Sequence, residues 1–272
     1  MSVALHISDP HFGTEQAPVM QALLQLAHTQ TPDVLLLSGD ITQRARTKQF
    51  QAAANFIAQL PAPARVIIPG NHDIPLFNLW ARIVTPYGNF QRAFGSALET
   101  EFESPDFLVL AINSTRPTRH KNGEINSQQL QRVAERLRNA TPQQLRIVMM
   151  HHPVCAIEES DLSNLVHGYD VAIQMWSAAG ADLILGGHIH LPYVRALNTV
   201  KRKLPRSVWA VQAGTALSHR TRGKVPNSVN ILRTQTIDNA PHTSIERWDF
   251  DAATTSFVLV ESTSIKTDRA QQ

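Results

Sequence analysis

Apolar residues in the first two thirds of the chain follow two patterns in turn: short unbroken runs, and longer stretches with helical spacing. Residues 3–8 (VALHIS), 33–38 (DVLLLS), 65–68 (RVII), 107–112 (FLVLAI), 145–150 (LRIVMM) and 182–185 (DLIL) are runs of strand length. Between them, Val19, Leu23, Leu24, Leu26 and Ala27 share one helical face over 18–30. Phe50, Ala53, Ala54, Ile57 and Leu60 do the same over 45–60, where Pro61 and Pro63 stop the helix. The spacing predicts further helices over 127–138 and 170–179, and a helical segment over 76–94 broken near Pro86 and Gly88. Strand alternating with amphipathic helix predicts parallel βαβ units. After Gly186 the helical pattern stops, and 193–197, 207–212, 228–233, 243–250 and 256–261 read as strands joined by turns. No Gly/Ser linker and no internal repeat separates the two parts. Residues 1–263 are therefore expected to form a single α/β domain with two packed sheets, and polar residues 264–272 a flexible tail.

The predicted strands end alike. Asp9-Pro10-His11, Gly39-Asp40, Gly70-Asn71-His72-Asp73, His151-His152-Pro153 and Gly186-Gly187-His188-Ile189-His190 each follow an apolar run. Ligands of open α/β sheets bind outside the carboxyl ends of the strands, so these five ends offer carboxylates, one amide and several imidazoles to a common rim. A mixed oxygen and nitrogen set without sulfur suits Mn, Fe, Zn, Co or Ni. If the strand ends are extended, Asp9 and His11 point the same way, as do His188 and His190. The glycines before Asp40, Asn71 and His188 are expected to allow close backbone approach.

Composition narrows the choice of chemistry. Cys155 is the single cysteine, which excludes an internal disulfide and a thiolate metal cluster and fits a reducing compartment. Hydrophobic residues make up 43% and charged residues 17%, enough apolar content to exclude disorder of the whole chain. No apolar run approaches the ~20 residues of a membrane helix. Residues 1–9 lack a basic stretch before their short apolar run, so no secretory signal is expected and the expected location is cytoplasmic, with peripheral membrane contact left open.

In their order along the chain, D-x-H, G-D, G-N-H-D, H-H-P and G-H-x-H over residues 9–190 resemble the calcineurin-like metallophosphoesterase superfamily, in particular its bacterial branch of class III cyclic-nucleotide phosphodiesterases and glycerophosphodiesterases. The resemblance implies a four-layer αββα sandwich, two mixed sheets flanked by helices. It implies one metal on Asp9, His11 and His190, another on Asn71, His151 and His188, and Asp40 bridging both. His151 is preferred to His152 as the ligand, and His152 is assigned to substrate contact or ligand support. His72 would stabilise charge on the phosphate or protonate the leaving oxygen. The implied reaction is hydrolysis of a phosphoric ester by in-line attack of a metal-bridging hydroxide, most naturally on small phosphodiesters such as 3′,5′-cyclic nucleotides. A pyrophosphohydrolase on a nucleotide-linked lipid, of the UDP-diacylglucosamine type, is the alternative, and a non-catalytic metal-binding scaffold is a third reading. Gln43 stands where purple acid phosphatases of the superfamily carry a Tyr, so a tyrosinate–iron site is not expected.

Charge refines the substrate expectation. The net charge of +3 is unevenly distributed: Leu183–Ile237 holds nine Lys/Arg and no Asp or Glu, leaving 16 basic against 22 acidic residues elsewhere. A second basic loop carries Arg116, Arg119, His120 and Lys121, and Arg116 is the candidate for substrate binding. Loops 114–124 and 195–225 could steer a small anionic phosphoester, meet an anionic membrane or lipid, or be a plain solvated face. Nucleic acid is not expected, because no aromatic-interleaved basic stretch occurs. Leu76, Phe77, Leu79, Trp80 and Ile83 could form a lid or lipid contact, but their spacing is that of a buried helix, and burial is the expectation adopted.

Overall fold

Every predicted apolar run becomes a strand, and the strands assemble into two six-stranded sheets. The computed structural model describes residues 1–198, 203–237 and 240–268. The first unit is β1 (Ser2–Ile7), α1 (Ala17–Gln30), β2 (Val34–Leu37), α2 (Thr47–Ile57) and β3 (Ala64–Ile67). Two short helices follow, α3 (Leu79–Val84) and α4 (Gly88–Phe94). The second unit comprises β4 (Thr100–Glu103), β5 (Phe107–Ala111), α5 (Ser127–Arg138), β6 (Leu145–Met149), α6 (Tyr169–Ala179) and β7 (Leu183–Gly186). The chain ends in β8 (Tyr193–Ala196), β9 (Trp209–Gln212), β10 (Ser228–Ile237), β11 (Ala240–Asp251) and β12 (Ser256–Ile265). One sheet runs β12-β11-β10-β1-β2-β3 and the other β4-β5-β6-β7-β9-β8. Strands β1, β2 and β3 are parallel, as are β5, β6, β7 and β9, while β10–β12 form an antiparallel meander paired to β1.

The layers follow from strand alternation. In β2, Leu35 and Leu37 face α1 and α2, whereas Val34 and Leu36 face the other sheet. In β5, Leu108 and Leu110 face α5 and α6, whereas Phe107, Val109 and Ala111 face inward. The inner core therefore joins both sheets, through Ala4, Val34 and Leu36 against Val109, Ile147 and Leu185 among others. Each outer face is closed by two helices, which gives four layers, αββα. Burial of one such large apolar side chain is worth ~1.5–3 kcal/mol, so strands apolar on both faces are held strongly in this arrangement. The pattern did not foresee β4, a half-buried edge strand of sequence TEFE. The meander is also longer than expected: Ser264 and Ile265 belong to β12, and Asp268 accepts a hydrogen bond from the Ser207 amide at 2.7 Å. Residues 269–272 of the expected tail, and Lys201 and Arg202 of the basic stretch, lie outside the described residues.

Helix α3 overturns the expectation of burial. Phe77, Trp80 and Ile83 are 79%, 77% and 78% exposed, and Leu79 is 64% exposed. The inward position is taken by Arg82, which is buried and donates to the carbonyls of Pro117 (2.7 Å), Arg119 (2.8 Å) and Pro75 (3.1 Å). A buried guanidinium needs several acceptors, and these three carbonyls provide them. The polar residue thus anchors the helix and the apolar residues point outward.

His6 lies in β1 between the sheets, fully buried, with Nε2 2.9 Å from Ser38 Oγ. Burial pushes it down to about 3, against the pull of Asp9. It is therefore neutral when folded and takes up a proton on unfolding below about pH 6.5. The stability it contributes is complete above that pH and is lost as pH falls toward 3. A His6→Gln variant is expected to lose less stability than the parent between pH 7 and pH 5, by about 2 kcal/mol at ~1.36 kcal/mol per pH unit. Urea unfolding at both pH values measures it, and parallel losses in the two proteins would refute it.

Candidate metal centre

The carboxyl edges of five parallel strands meet at one rim, and each delivers the expected side chains. Asp9 and His11 follow β1, Asp40 follows β2, and Asn71 and His72 sit in a 3₁₀ turn, Asn71–Asp73, after β3. His151 follows β6, and His188 and His190 follow β7. His11 Nε2 stands 3.0 Å from His190 Nε2, and His190 Nε2 stands 3.2 Å from Asp9 Oδ1. On the other side, His151 Nε2 is 3.2 Å from Asn71 Oδ1. Asp40 lies between the two groups, with Oδ2 3.7 Å from His11 Nε2 and Oδ1 3.3 Å from His151 Nε2. His188 packs its ring on that of His151, centroids 5.1 Å apart.

The backbone reaches this geometry by a route that strand alternation does not describe. Asp9, His11, Asp40, His188 and His190 all have left-handed φ, between 43° and 72°. The D-x-H and H-x-H segments are thus not extended, and each pair converges because both members turn. Such backbone costs of order 1–3 kcal/mol per residue and persists only where the surroundings enforce it. Here the carboxylates help enforce it: Asp9 Oδ2 accepts from the His188 amide (2.9 Å) and Asp40 Oδ1 from the His72 amide (2.8 Å). Buried Asp73 binds the neighbouring loops together, accepting from the amides of Gly70 (2.9 Å), Ile41 (3.0 Å) and Thr42 (2.8 Å) and from Thr42 Oγ1 (2.8 Å). Close approach explains two glycines: a Cβ on Gly70 would collide with Asp40, and one on Gly187 with Ser8 Oγ and Asp9 Oδ2.

The ring nitrogens distinguish ligand candidates from supports. His151 Nδ1 donates to the Ser38 carbonyl (2.8 Å) and His190 Nδ1 to the Arg220 carbonyl (2.6 Å), which turns each Nε2 inward. His152 has both nitrogens engaged, Nδ1 with Ser114 Oγ and Nε2 with the Lys121 carbonyl, each at 2.8 Å. His152 can be grouped by proximity with His151 and His188, but its bonds leave it no lone pair for a cation. Both nitrogens of His188 are buried without a hydrogen-bond partner. Unpaired buried polar atoms of this kind are costly unless a ligand completes them, and the donor set suits cations of the Mn to Zn series.

The local field agrees. Burial raises Asp9 and Asp40, yet the surrounding histidines, His190 first for Asp9 and His151 first for Asp40, hold both well below the usual carboxylate range. Burial lowers His151, but Asp40 and Asp9 outweigh it and draw the ring up to about 9. His11 and His188 are pushed down to about 3, by burial foremost, and stay neutral. Two ionised carboxylates and the neutral rings of His11 and His188 offer lone pairs to divalent cations, and a cation would displace the proton that the carboxylates draw onto His151.

A cavity of about 750 Å³ opens over the cluster, lined by Asp40, Asn71, His72 and His188 together with Gln43, Arg44, Lys121 and Arg220. His72 Nδ1 donates to the Gln43 carbonyl at 3.1 Å. Two residues expected at the substrate lie elsewhere. His152 is buried behind the ligand cluster. Arg116 is turned away, its guanidinium donating to the Asn113 (3.0 Å) and Thr115 (2.8 Å) carbonyls and to Gln129 Oε1 (2.9 Å). The basic stretch does not form one rim either: Arg206 pairs with Asp182 and Arg233 with Glu246, while Arg220 and Arg222 reach the cavity. Residues missed from sequence were Arg44, Lys121 and Arg220 as individuals. Arg220 follows the carboxyl end of β9, a parallel strand, which was the available signal.

Comparison with known proteins adds a family. The model of the calcineurin-like phosphoesterases matches residues 3–192. A probable cyclic nucleotide phosphodiesterase of Synechococcus sp. is 25% identical over 188 residues, covering 67% of this chain and 68% of the relative. Among solved structures, purple acid phosphatase PPD1 of yellow lupin superposes with a TM-score of 0.73 at 11% identity, over 97% of this chain and 53% of its own. A putative 5′-nucleotidase of Staphylococcus aureus gives 0.54 at 12% identity, over 97% of this chain and 54% of its own. The chain thus spans about half the length of these two structures, and the likeness is one of fold.

Proposed function

The chain belongs to the calcineurin-like phosphoesterase family, and from that premise we propose that it is a phosphodiesterase with two metal ions, acting on small phosphodiesters, 3′,5′-cyclic nucleotides first among them. One observation carries the reading: seven donor side chains from five strand ends converge, with both His188 nitrogens buried and unpaired. Asp9, His11 and His190 would hold one cation, Asn71, His151 and His188 the other, and Asp40 both. Such cations supply charge neutralisation at the phosphoryl oxygens and a water of lowered pKa.

The chain's own groups do the rest. Lys121, Arg44 and Arg220 bring positive charge to the cavity wall and draw in an anionic ester. The Gln43 carbonyl fixes the His72 ring through Nδ1, so Nε2 is the atom that can hold a proton for the departing oxygen. The likeness to a probable cyclic nucleotide phosphodiesterase supports the substrate class.

The test is reconstitution. Protein stripped with a chelator is expected to lose hydrolysis of bis(p-nitrophenyl) phosphate and of 3′,5′-cyclic AMP, and to regain both when Mn is added. Two equivalents of bound metal are expected by elemental analysis. A stripped protein that binds two ions yet hydrolyses no phosphoester with Mn, Fe, Zn, Co or Ni would be a scaffold.

A further inference from the structure

Helix α3 is reversed relative to an ordinary surface helix. Its charged residue, Arg82, is buried and held by three carbonyls, while Phe77, Leu79, Trp80, Ile83 and Val84 are exposed. The anchoring of Arg82 makes the outward apolar face part of the built fold. Large aromatic and aliphatic side chains clustered outward mark an interaction surface.

The flanking charge identifies what the surface meets. Arg82 bonds to the carbonyls of Pro117 and Arg119, which holds the basic loop Arg116–Lys121 against the base of α3. On another side, the Arg44 guanidinium lies 5.4 Å from the centre of the Phe77 ring. Within the basic loop Arg119 pairs with Glu124 (3.0 Å) and Arg116 stands 3.9 Å from the same carboxylate, so the cations offered on this flank are Arg44 and Lys121, both at the cavity. Apolar residues with Trp and Phe among them, flanked by Arg44 and Lys121, match the interface of an anionic bilayer, where aromatic rings sit at headgroup level and basic residues meet lipid phosphates. A second copy of the chain matches less well. A two-fold interface on this face would bring its Arg44 and Lys121 surroundings against their like.

We propose that α3, Arg44 and Lys121 dock the protein on an anionic phospholipid bilayer. Leu76, Lys121 and Arg44 also line the cavity over the metal centre, so docking would bring the cavity close to the headgroups. The proposal stands apart from the phosphodiesterase reading and needs no activity for its test.

The full chain is sedimented with vesicles of phosphatidylcholine alone or phosphatidylcholine with phosphatidylglycerol, at low and high salt. Binding to the phosphatidylglycerol vesicles is expected, weaker at high salt and on phosphatidylcholine. The double variant Phe77→Ser/Trp80→Ser, altered only at exposed positions, is expected to bind at least about tenfold more weakly while its thermal unfolding is unchanged. In the parent, tryptophan emission should shift to the blue on binding, and Trp80→Phe should lose most of that shift, because Trp176 is buried and Trp209 and Trp248 are half-buried in β9 and β11. Failure to bind phosphatidylglycerol vesicles overturns the proposal, as does equal binding by the double variant. So does a vesicle-free dimer that the double variant abolishes, since a second copy would then cover the face.

Discussion

Replacing Asp40 with Asn should abolish hydrolysis without unfolding the protein. Its carboxylate stands between the two ligand groups, within 3.7 Å of His11 Nε2 and 3.3 Å of His151 Nε2. An Asn side chain keeps an oxygen for the His72 amide, which Asp40 Oδ1 accepts at 2.8 Å, so the turn after β3 retains its bond. What disappears is the negative charge shared by both groups. The histidines, His151 first, hold Asp40 well below the usual carboxylate range, so its charge contributes stability at neutral pH and the metal-free variant should unfold at a somewhat lower temperature than the metal-free parent. On the proposed reading, in which Asp40 would be shared by two cations, its loss removes several kcal/mol of transition-state stabilisation, a drop in kcat on the order of 10³-fold or more. Bound metal should fall below two equivalents in the same preparation. Elemental analysis, steady-state kinetics and thermal unfolding read the three effects separately. Unchanged metal content with near-parental kcat would mean that Asp40 bridges nothing.

The sequence displayed the sheets because their strands are buried on both faces. A run such as VLLL at 34–37 has no alternative to a covered strand, whereas TEFE at 100–103, half covered at an edge, carries no such mark. The clustering of the candidate ligands was readable for a related reason: polar residues directly after apolar runs fall on the carboxyl rim of a parallel sheet. The conformation that joins them was not readable. Left-handed φ at Asp9, His11, Asp40, His188 and His190 is imposed by contacts between loops distant in sequence, such as Asp9 with the His188 amide.

The orientation of α3 was hidden for a similar reason. Apolar spacing is the same whether a helix turns that face in or out, and the three carbonyls that claim Arg82 belong to residues 75, 117 and 119. Arg116 and Lys121 show the limit of charge counting. They share a loop, yet Asn113, Thr115 and Gln129 capture the first, while the second reaches the cavity.

Replacing His72 should separate proton transfer from metal binding. His72 lines the cavity, its Nδ1 is committed to the Gln43 carbonyl, and its ring stands edge-on to His11 at 4.9 Å. None of its ring atoms is paired with Asp9 or Asp40, unlike the rings of His11, His151 and His190. A His72→Gln variant should therefore retain two equivalents of metal. A positioned general acid contributes ~10²–10⁴-fold, and its value grows with the basicity of the leaving oxygen. The ribose oxygen released from a cyclic nucleotide is a poor leaving group and needs the proton, whereas p-nitrophenolate leaves without one. The expected result is a fall in kcat of about 10²-fold or more on 3′,5′-cyclic AMP and a much smaller fall on bis(p-nitrophenyl) phosphate. Equal falls on both substrates would assign His72 to charge stabilisation at the phosphoryl group. Loss of one metal equivalent would make it a ligand and would require the division of the seven donors to be redrawn.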